Sequence, residues 1–574
     1  MRRLIDKYPV WTVMGFMLLC LSGVMAMRDF SPSNELRYLS IADEALRDGH
    51  VFAFANQGAA YADKPPLYLW IVMLCRLLLG KHSMFVLSLC SFIPACVIIW
   101  VMDRWVYGRE PEAAGAWRAS TALMLGTAGL FLGMSVFLRM DMLMVMFIVL
   151  ALWSWHRDRP WLFALYTFLA LFTKGPVGLL VPPLCVTVYC ASCRWRRCRS
   201  GRAAVPAERR RGTAFESTPH NRVSRWLGWR FWALLAGLCT MWFAGVYIDG
   251  GREYLDNLLF HQTVGRAVNS FHHDRPLWYY LVNVWPVLLP WCLLVVPAAV
   301  LSLCRRGDTA LPEVAALSDT GTAAGHTEKM FRCAVFVTFV MLSCFSAKLS
   351  IYLAPIFPFV IYLVPLLVKQ DGWKRWMSWA VAVPAGLLSL VGLALVALVP
   401  LWGMLPVPEG FGFARSPLVM LAGAVLAAGG VCTVVSAFSG RSRGFLLSGG
   451  DFPSGGNRPS GDLAPAGGYT CTAPLAVSML AGILLLSPLL PQANDWVGYG
   501  NLCADIPDGE TVYVRKVHRP ENMDVYLGRD VVKISADDPI PGDGVLVSKA
   551  SFEDESLEGR TKIVHGEYAV WLPR

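Results

Sequence analysis

About 20 apolar residues in a row suffice to carry a helix across a bilayer. This chain of 574 residues offers such runs near 10–27, 84–102, 117–136, 142–156, 161–173, 175–192, 231–248, 277–303, 330–347, 350–368, 377–402, 416–437 and 473–490. That repetition constrains the fold more than any motif does. With 55% hydrophobic and 16% charged residues, 22 Trp and 29 Phe, the chain carries more apolar surface than a soluble globule can hide. The expected class is an all-α multipass membrane protein with about thirteen transmembrane helices. The first run is longer than the apolar core of a signal peptide, so it is read as an uncleaved helix although Val24-Met25-Ala26 resembles a cleavage site. No internal repeat is evident, which disfavours a transporter built from duplicated halves.

The formal charge of +10 lies in short clusters between apolar runs, without the basic and aromatic platform of a nucleic-acid binder. It is a topology signal instead. Arg2, Arg3 and Lys7 precede the first run, "RWRRCRSGRAAVPAERRR" (194–211) follows the sixth and "KQDGWKRW" (369–376) the tenth. Thirteen crossings place all three on one face, which the positive-inside rule assigns to the cytoplasm. The N-terminus is then expected inside and the C-terminus outside. Segments 304–329 and 438–472 look like flexible inner linkers. Nearly all of the 16 cysteines lie inside apolar segments, as Cys20, Cys75, Cys90 and Cys292 do, so no disulfide framework or CxxC metal pattern follows. Cys193 and Cys198 flank arginines in a basic loop and are read as a chance pair.

Residues 1–490 are expected to form the membrane domain, with a first outer loop over 28–83 that carries amphipathic helices. Residues 491–574 change character. "TVYVRK" (511–516), "RDVVKI" (529–534) and "GVLVSK" (544–549) alternate and are separated by turn residues, which predicts strands. With a short helix around "PENMDVYLG" they make a small α/β domain on the outer side.

Outer-face loops should be poor in Lys and Arg, so the exceptions carry information. Arg37, Lys64, Arg139, Lys174, Arg275 and Lys348 all map to outer helix ends, in "NELRY", "DKPP", "LRMDM", "TKGP", "HHDRP" and "AKLSIYLAP". Singly, each is an interfacial anchor reaching for headgroups. Together they exceed their acidic neighbours Glu35, Asp63, Asp141 and Asp274, and a phosphate at the membrane surface completes the balance. Pro65 and Pro66 stiffen the approach to the apolar run and keep Lys64 at the interface.

In this order, "NELRYLSIADEAL", "YADKPPLYLW", "FLRMDMLMVMFIVLALW", "FTKGPVGLLVP", "HHDRPLWYYL" and "SAKLSIYLAPIFP" resemble the motif blocks of the bacterial aminoarabinose transferase-like family. That family is a branch of the GT-C glycosyltransferases related to protein O-mannosyltransferases. The resemblance covers roughly residues 10–370. It implies a polyprenyl-phosphate sugar donor, an acceptor such as lipid A, another glycan or a protein hydroxyl, and reaction on the periplasmic side of the bacterial inner membrane. It also implies an acidic residue in the first outer loop near the chemistry. The family's counterpart of "NELRY" usually begins Asp-Glu, whereas this chain has Asn34 before Glu35.

Asn34 is therefore either a catalytic position or the N-cap of a helix through 35–48. Glu35 lies in the first turn, where a helix dipole welcomes an anion. If a general base is needed, Glu35 or Asp141 must supply it. Arg37, Tyr38, Tyr61, Lys64, Arg139, Lys174, Arg275, Lys348 and Tyr352 are candidates for donor phosphate, against loop pinning, internal ion pairing and interface anchoring as the plain alternatives. Asp63, His272 and His273 are candidate zinc ligands, though two protein ligands are too few for a closed structural site and an Asp–His hydrogen bond explains them as simply. "PLWYYL" (276–281) reads as an aromatic belt. No cofactor is required, because the donor is not a nucleotide sugar and needs no GxGxxG or DxD motif. The expected activity is glycosyl transfer from a polyprenyl-phosphate carrier to lipid A or another envelope glycan. A protein O-glycosyltransferase, a flippase of lipid-linked sugar and a non-catalytic assembly protein stay open.

Overall fold

The computed structural model describes residues 2–108, 115–199, 227–259, 275–304, 319–402, 409–439, 469–535 and 538–573. Its helices follow the apolar runs. In chain order they are α1 (Arg2–Lys7), α2 (Pro9–Met27), α3 (Glu35–Asp48), α4 (Leu67–Leu79), α5 (Met84–Tyr107), α6 (Gly115–Gly126), α7 (Gly129–Val136), α8 (Met140–His156), α9 (Pro160–Lys174), α10 (Pro176–Arg199) and α11 (Trp229–Asp256). They continue with α12 (Tyr279–Val287), α13 (Cys292–Cys304), α14 (Asp319–Cys344), α15 (Phe357–Asp371), α16 (Arg375–Leu401), α17 (Pro417–Phe438) and α18 (Thr472–Leu486).

Among the described residues, eight helices are long and apolar enough to cross a membrane, and the pair α6–α7 makes a ninth. That pair departs from the single span expected over 117–136, because the chain turns by 74° between its halves. The run over 277–303 is likewise divided into α12 and α13, where Pro286 and Pro290 remove backbone donors. Shorter apolar helices, α8, α9 and α13 among them, complete the bundle. The "PLWYYL" stretch splits by face: Tyr280 is buried while Leu277, Trp278 and Leu281 point outward, as an aromatic belt at a lipid boundary requires.

The loop over 28–83 is ordered from both ends. Leu36, Leu39, Ile41, Ala42 and Ala45 line the buried side of α3 at helical spacing, and Gly49 ends it in the left-handed region at φ 79°. A small hairpin follows, β1 (Ala55–Asn56) with β2 (Ala59–Ala60). The Glu44 carboxylate holds its turn by accepting from the amides of Gln57 at 2.7 Å and Gly58 at 2.8 Å. Helix α4 starts directly after Pro65-Pro66 and stops at Gly80.

Beyond α18 the chain forms a five-stranded sheet of order β4-β3-β5-β7-β6, with β3 (Val512–Val514), β4 (Val532–Lys533), β5 (Val545–Lys549), β6 (Thr561–His565) and β7 (Tyr568–Leu572). Strand β3 runs parallel to β4 and β5, and β7 pairs antiparallel with β5 and β6, placing Val547 opposite Val570. "PENMDVYLG" becomes a 3-10 turn, Pro520–Met523, leading into the short helix Asp524–Leu527. One face of this sheet buries a cluster of its own, Leu546, Leu557, Ala569 and Trp571, and the other face is shared. Val512, Val514, Met523, Val547 and Val570 pack in one cluster with Leu36, Leu39, Tyr68 and Val72 of the outer loop.

Candidate active site

The connector after α2, α3 itself and the lead-in to α8 meet at one point. The knot that joins them is the Glu35 carboxylate, 1% exposed at its side chain. The Arg28 guanidinium donates to it twice, at 2.7 Å each, and it also accepts from the Ser31 amide at 2.8 Å and the Leu138 amide at 2.7 Å. Both oxygens are thus occupied by charge-assisted or backbone donors. Glu35, one of the two expected bases, is instead the tie between the outer loop and the strand-like lead-in to α8. Arg28, its partner, went unremarked in the sequence. Its one signal is a cation seven residues before a helix-starting glutamate.

Asn34 occupies the N-cap position of α3 but its side chain makes no capping hydrogen bond. The helix start is secured by Glu35 and by the Leu36 amide donating to the Ser31 carbonyl at 3.1 Å. Asn34 is half-buried beside the knot.

Tyr38, one turn further on, marks the centre of the charged cluster. Burial pushes its phenol up, Tyr61 and Asp141 push it the same way, and the positive charges of Arg139 and Arg37 oppose them. All four therefore lie within electrostatic reach of Tyr38. Asp141, the other expected base, is ion-paired with the Lys174 ammonium, which also lies 5.0 Å from the centroid of the Tyr352 ring. So α3, the loop before α4, α8, α9 and the 3-10 segment Ser350–Ile356 each deliver a candidate residue to one place. Arg37 and Arg139 are half-buried, and among the described residues neither guanidinium has a carboxylate partner. Two half-buried guanidinium groups without a carboxylate partner make this cluster electrostatically complementary to an anion.

Tyr61 is fixed through its backbone: its amide donates to the Phe54 carbonyl at 2.7 Å and its carbonyl accepts from the Tyr254 hydroxyl at 2.7 Å. Asp63 and Lys64 follow in the same half-buried loop, each with contacts of its own. Lys348 and Arg275 form a separate pair. The Lys348 ammonium, 3% exposed, donates to the carbonyls of Arg275 at 3.0 Å and Phe345 at 2.5 Å, and the Arg275 amide returns a bond to the Ser346 carbonyl at 3.3 Å. His272 and His273 lie outside the described residues. Among the described residues no group of three His, Cys, Asp or Glu side chains is arranged to hold a metal.

No family profile matches the chain. A solved structure of ArnT from Cupriavidus metallidurans bound to undecaprenyl phosphate superimposes with a TM-score of 0.65 at 15% identity, covering 98% of this chain and 97% of that one. The chain has the GT-C fold of the aminoarabinose transferases. Coverage of that extent includes the C-terminal sheet as well as the bundle, and the apolar helices are those of a multipass membrane fold. In sequence, the chain is 23% identical over 312 residues to an undecaprenyl phosphate-alpha-4-amino-4-deoxy-L-arabinose arabinosyl transferase of Pseudomonas fluorescens, across 51% of this chain and 48% of that protein. It is 21% identical over 413 residues to the transferase so named in Shewanella sediminis, across 68% and 64%. The chain thus matches about half to two thirds of the length of these curated aminoarabinose transferases.

Proposed function

We propose that this protein is an inner-membrane glycosyltransferase that moves a monosaccharide from a polyprenyl-phosphate carrier to lipid A, with its site facing the periplasm. The observation that carries the reading is the pair Arg37 and Arg139, half-buried around Tyr38 with no carboxylate partner among the described residues. In the donor one phosphate joins isoprenoid to sugar, and that phosphate gains charge as the glycosidic bond breaks. Preplaced guanidinium donors stabilise that charge most at the moment it develops. Orientation follows from the basic loops at 194–211 and 369–376, which favour the cytoplasm for the opposite face.

The acceptor oxygen attacks the anomeric carbon, and the carrier phosphate leaves. Glu35 is saturated by its four donors and Asp141 is paired with Lys174, so neither stands ready to take a proton. An acceptor that arrives already ionised, as a lipid A phosphate does, needs no base. It is also better served by a neutral Asn34 than by a carboxylate that would repel it. Arg139, Arg37 and Lys64 then hold the donor phosphate, while Lys174 and Tyr352 line the site with Asp141. This chemistry calls for no metal or cofactor.

The test is transfer by purified protein in lipid, from undecaprenyl phosphate carrying 4-amino-4-deoxy-arabinose to lipid A, followed by mass spectrometry. Transfer that is lost in Arg139→Ala and in Lys64→Ala supports the proposal. Robust transfer by both variants, or none by the wild type, rejects it.

A further inference from the structure

We infer that Cys75 and Cys90 form a disulfide that staples α4 to α5 at the outer lip of the membrane. Their sulfurs lie 3.9 Å apart, and Cys90 donates to the Val86 carbonyl at 3.5 Å. A disulfide needs about 2.05 Å between sulfurs. The remaining gap is of the size a rotation about each Cα–Cβ bond closes, because the helices are already in contact: Val72 and Met73 of α4 share a core with Met84 and Leu87 of α5. Both cysteines are half-buried, so neither is sealed off as a plain core thiol. Between them the chain reverses through Gly80, held in the left-handed region at φ 68°, and Lys81 to Ser83.

The inference rests on the proposed orientation, which puts this connector in an oxidising compartment. Oxidation proceeds by exchange with an oxidised dithiol protein. One cysteine thiolate attacks that protein's disulfide to give a mixed disulfide, and the second thiolate displaces it. The two thiol protons end on the donor's sulfurs, its S–S bond breaks and takes up two electrons to give a dithiol, and one S–S bond forms between Cys75 and Cys90. The consequence concerns the site. Helix α4 begins at Leu67, directly after Asp63-Lys64-Pro65-Pro66, and its far end is held to α3 by the Asp43 carboxylate, which accepts from Arg76 at 2.9 Å and faces His82 at 2.9 Å. A covalent link at Cys75 makes that bracing permanent.

The experiment uses the full chain in its own membrane. Free thiols are trapped with N-ethylmaleimide before lysis, and peptides containing Cys75 and Cys90 are read by mass spectrometry with and without reductant. The expected result is a cross-linked peptide pair two hydrogens lighter than the sum of its parts, lost on reduction and in Cys75→Ser or Cys90→Ser. Maleimide on both residues of the wild type overturns the inference. In parallel, a Lys81→Cys variant with both native cysteines changed to serine is treated with a membrane-impermeant maleimide from the periplasmic side. A labelled connector with trapped thiols rejects the disulfide and leaves the transferase reading standing. An unlabelled connector overturns the orientation on which both rest.

Discussion

The residue that decides most here is Glu35, because a carboxylate with four donors is a joint and not a reagent. Its bond to the Leu138 amide ties α3 to the segment that presents Arg139 and Asp141, so the geometry of the cation cluster depends on it. Removing Arg28 leaves that charge buried and uncompensated, a loss of about 3–5 kcal/mol by the usual cost of breaking a buried pair. Arg28→Ala is therefore expected to unfold at markedly lower temperature in detergent, whereas Arg28→Lys, which keeps the charge but not the fork, falls between. Arg139→Ala should behave oppositely. It removes a cation that has no carboxylate partner among the described residues, so thermal stability should be held or raised while transfer is lost. A parallel loss of stability and transfer in both variants would show that Arg139 is structural. For Asn34→Asp, the reading of an ionised acceptor predicts weaker transfer to a phosphate acceptor, and a marked increase would count against it.

At the scale of elements, the amphipathic spacing of "ELRYLSIADEALRD" made α3 legible, and the apolar runs made the bundle legible, because helix burial is periodic and periodicity survives in sequence. The sheet was partly legible. Strands β6 and β7 are not among the expected ones, because "TKIVH" and "YAVWL" show no strict alternation, yet the turn between them, His565-Gly566-Glu567-Tyr568 with Gly566 at φ 56°, is a two-residue hairpin of the kind glycine signals. The candidate residues were named from their charge at helix ends, but their partners were not, since Glu35 finds Leu138 and Asp141 finds Lys174 through hydrogen bonds that leave no local pattern. The tie between α3 and α4 is such a case. Burial raises the Asp43 carboxyl, but the hydrogen bonds and charges of His82 and Arg76 outweigh it and hold the group below its usual range. A carboxyl lowered on folding stabilises above its unfolded pKa of about 3.9 and loses that contribution as pH falls through the folded value. Asp43→Asn is thus expected to destabilise the loop at pH 7 and to make no difference at strongly acid pH, read by proteolysis of the outer loop across pH.

The whole molecule holds its 28–83 loop between two bodies, and polar bonds add to the apolar cluster it shares with the C-terminal domain. Asp29 accepts from the Gly500 amide at 2.7 Å and from the Tyr526 hydroxyl, Asn522 donates to the Pro32 carbonyl at 2.8 Å, and the Ser40 hydroxyl donates to Asp524 at 2.6 Å. Each bond joins residues more than 450 positions apart, so the helical turns of the C-terminal domain are tied directly to α3 and to the segment that leads into it. Asp524 is the strained member of this set. Burial pushes its carboxyl up to about 6, against the hydrogen bonds from Ser40 and the Val525 amide, with Asp530 and Asp43 adding repulsion. A carboxyl raised on folding binds its proton more tightly in the folded state, so stability rises as pH falls from about 7 towards 4, and the ionised group costs stability above about 6. Asp524→Asn removes that charge, keeps an acceptor for Val525 and lets Ser40 reverse its bond. The variant should therefore melt higher than wild type at pH 7.5, with the gap closing near pH 4. If instead it melts lower at pH 7.5, the carboxylate is the preferred partner of Ser40 and the tie to α3 is held by charge, not despite it.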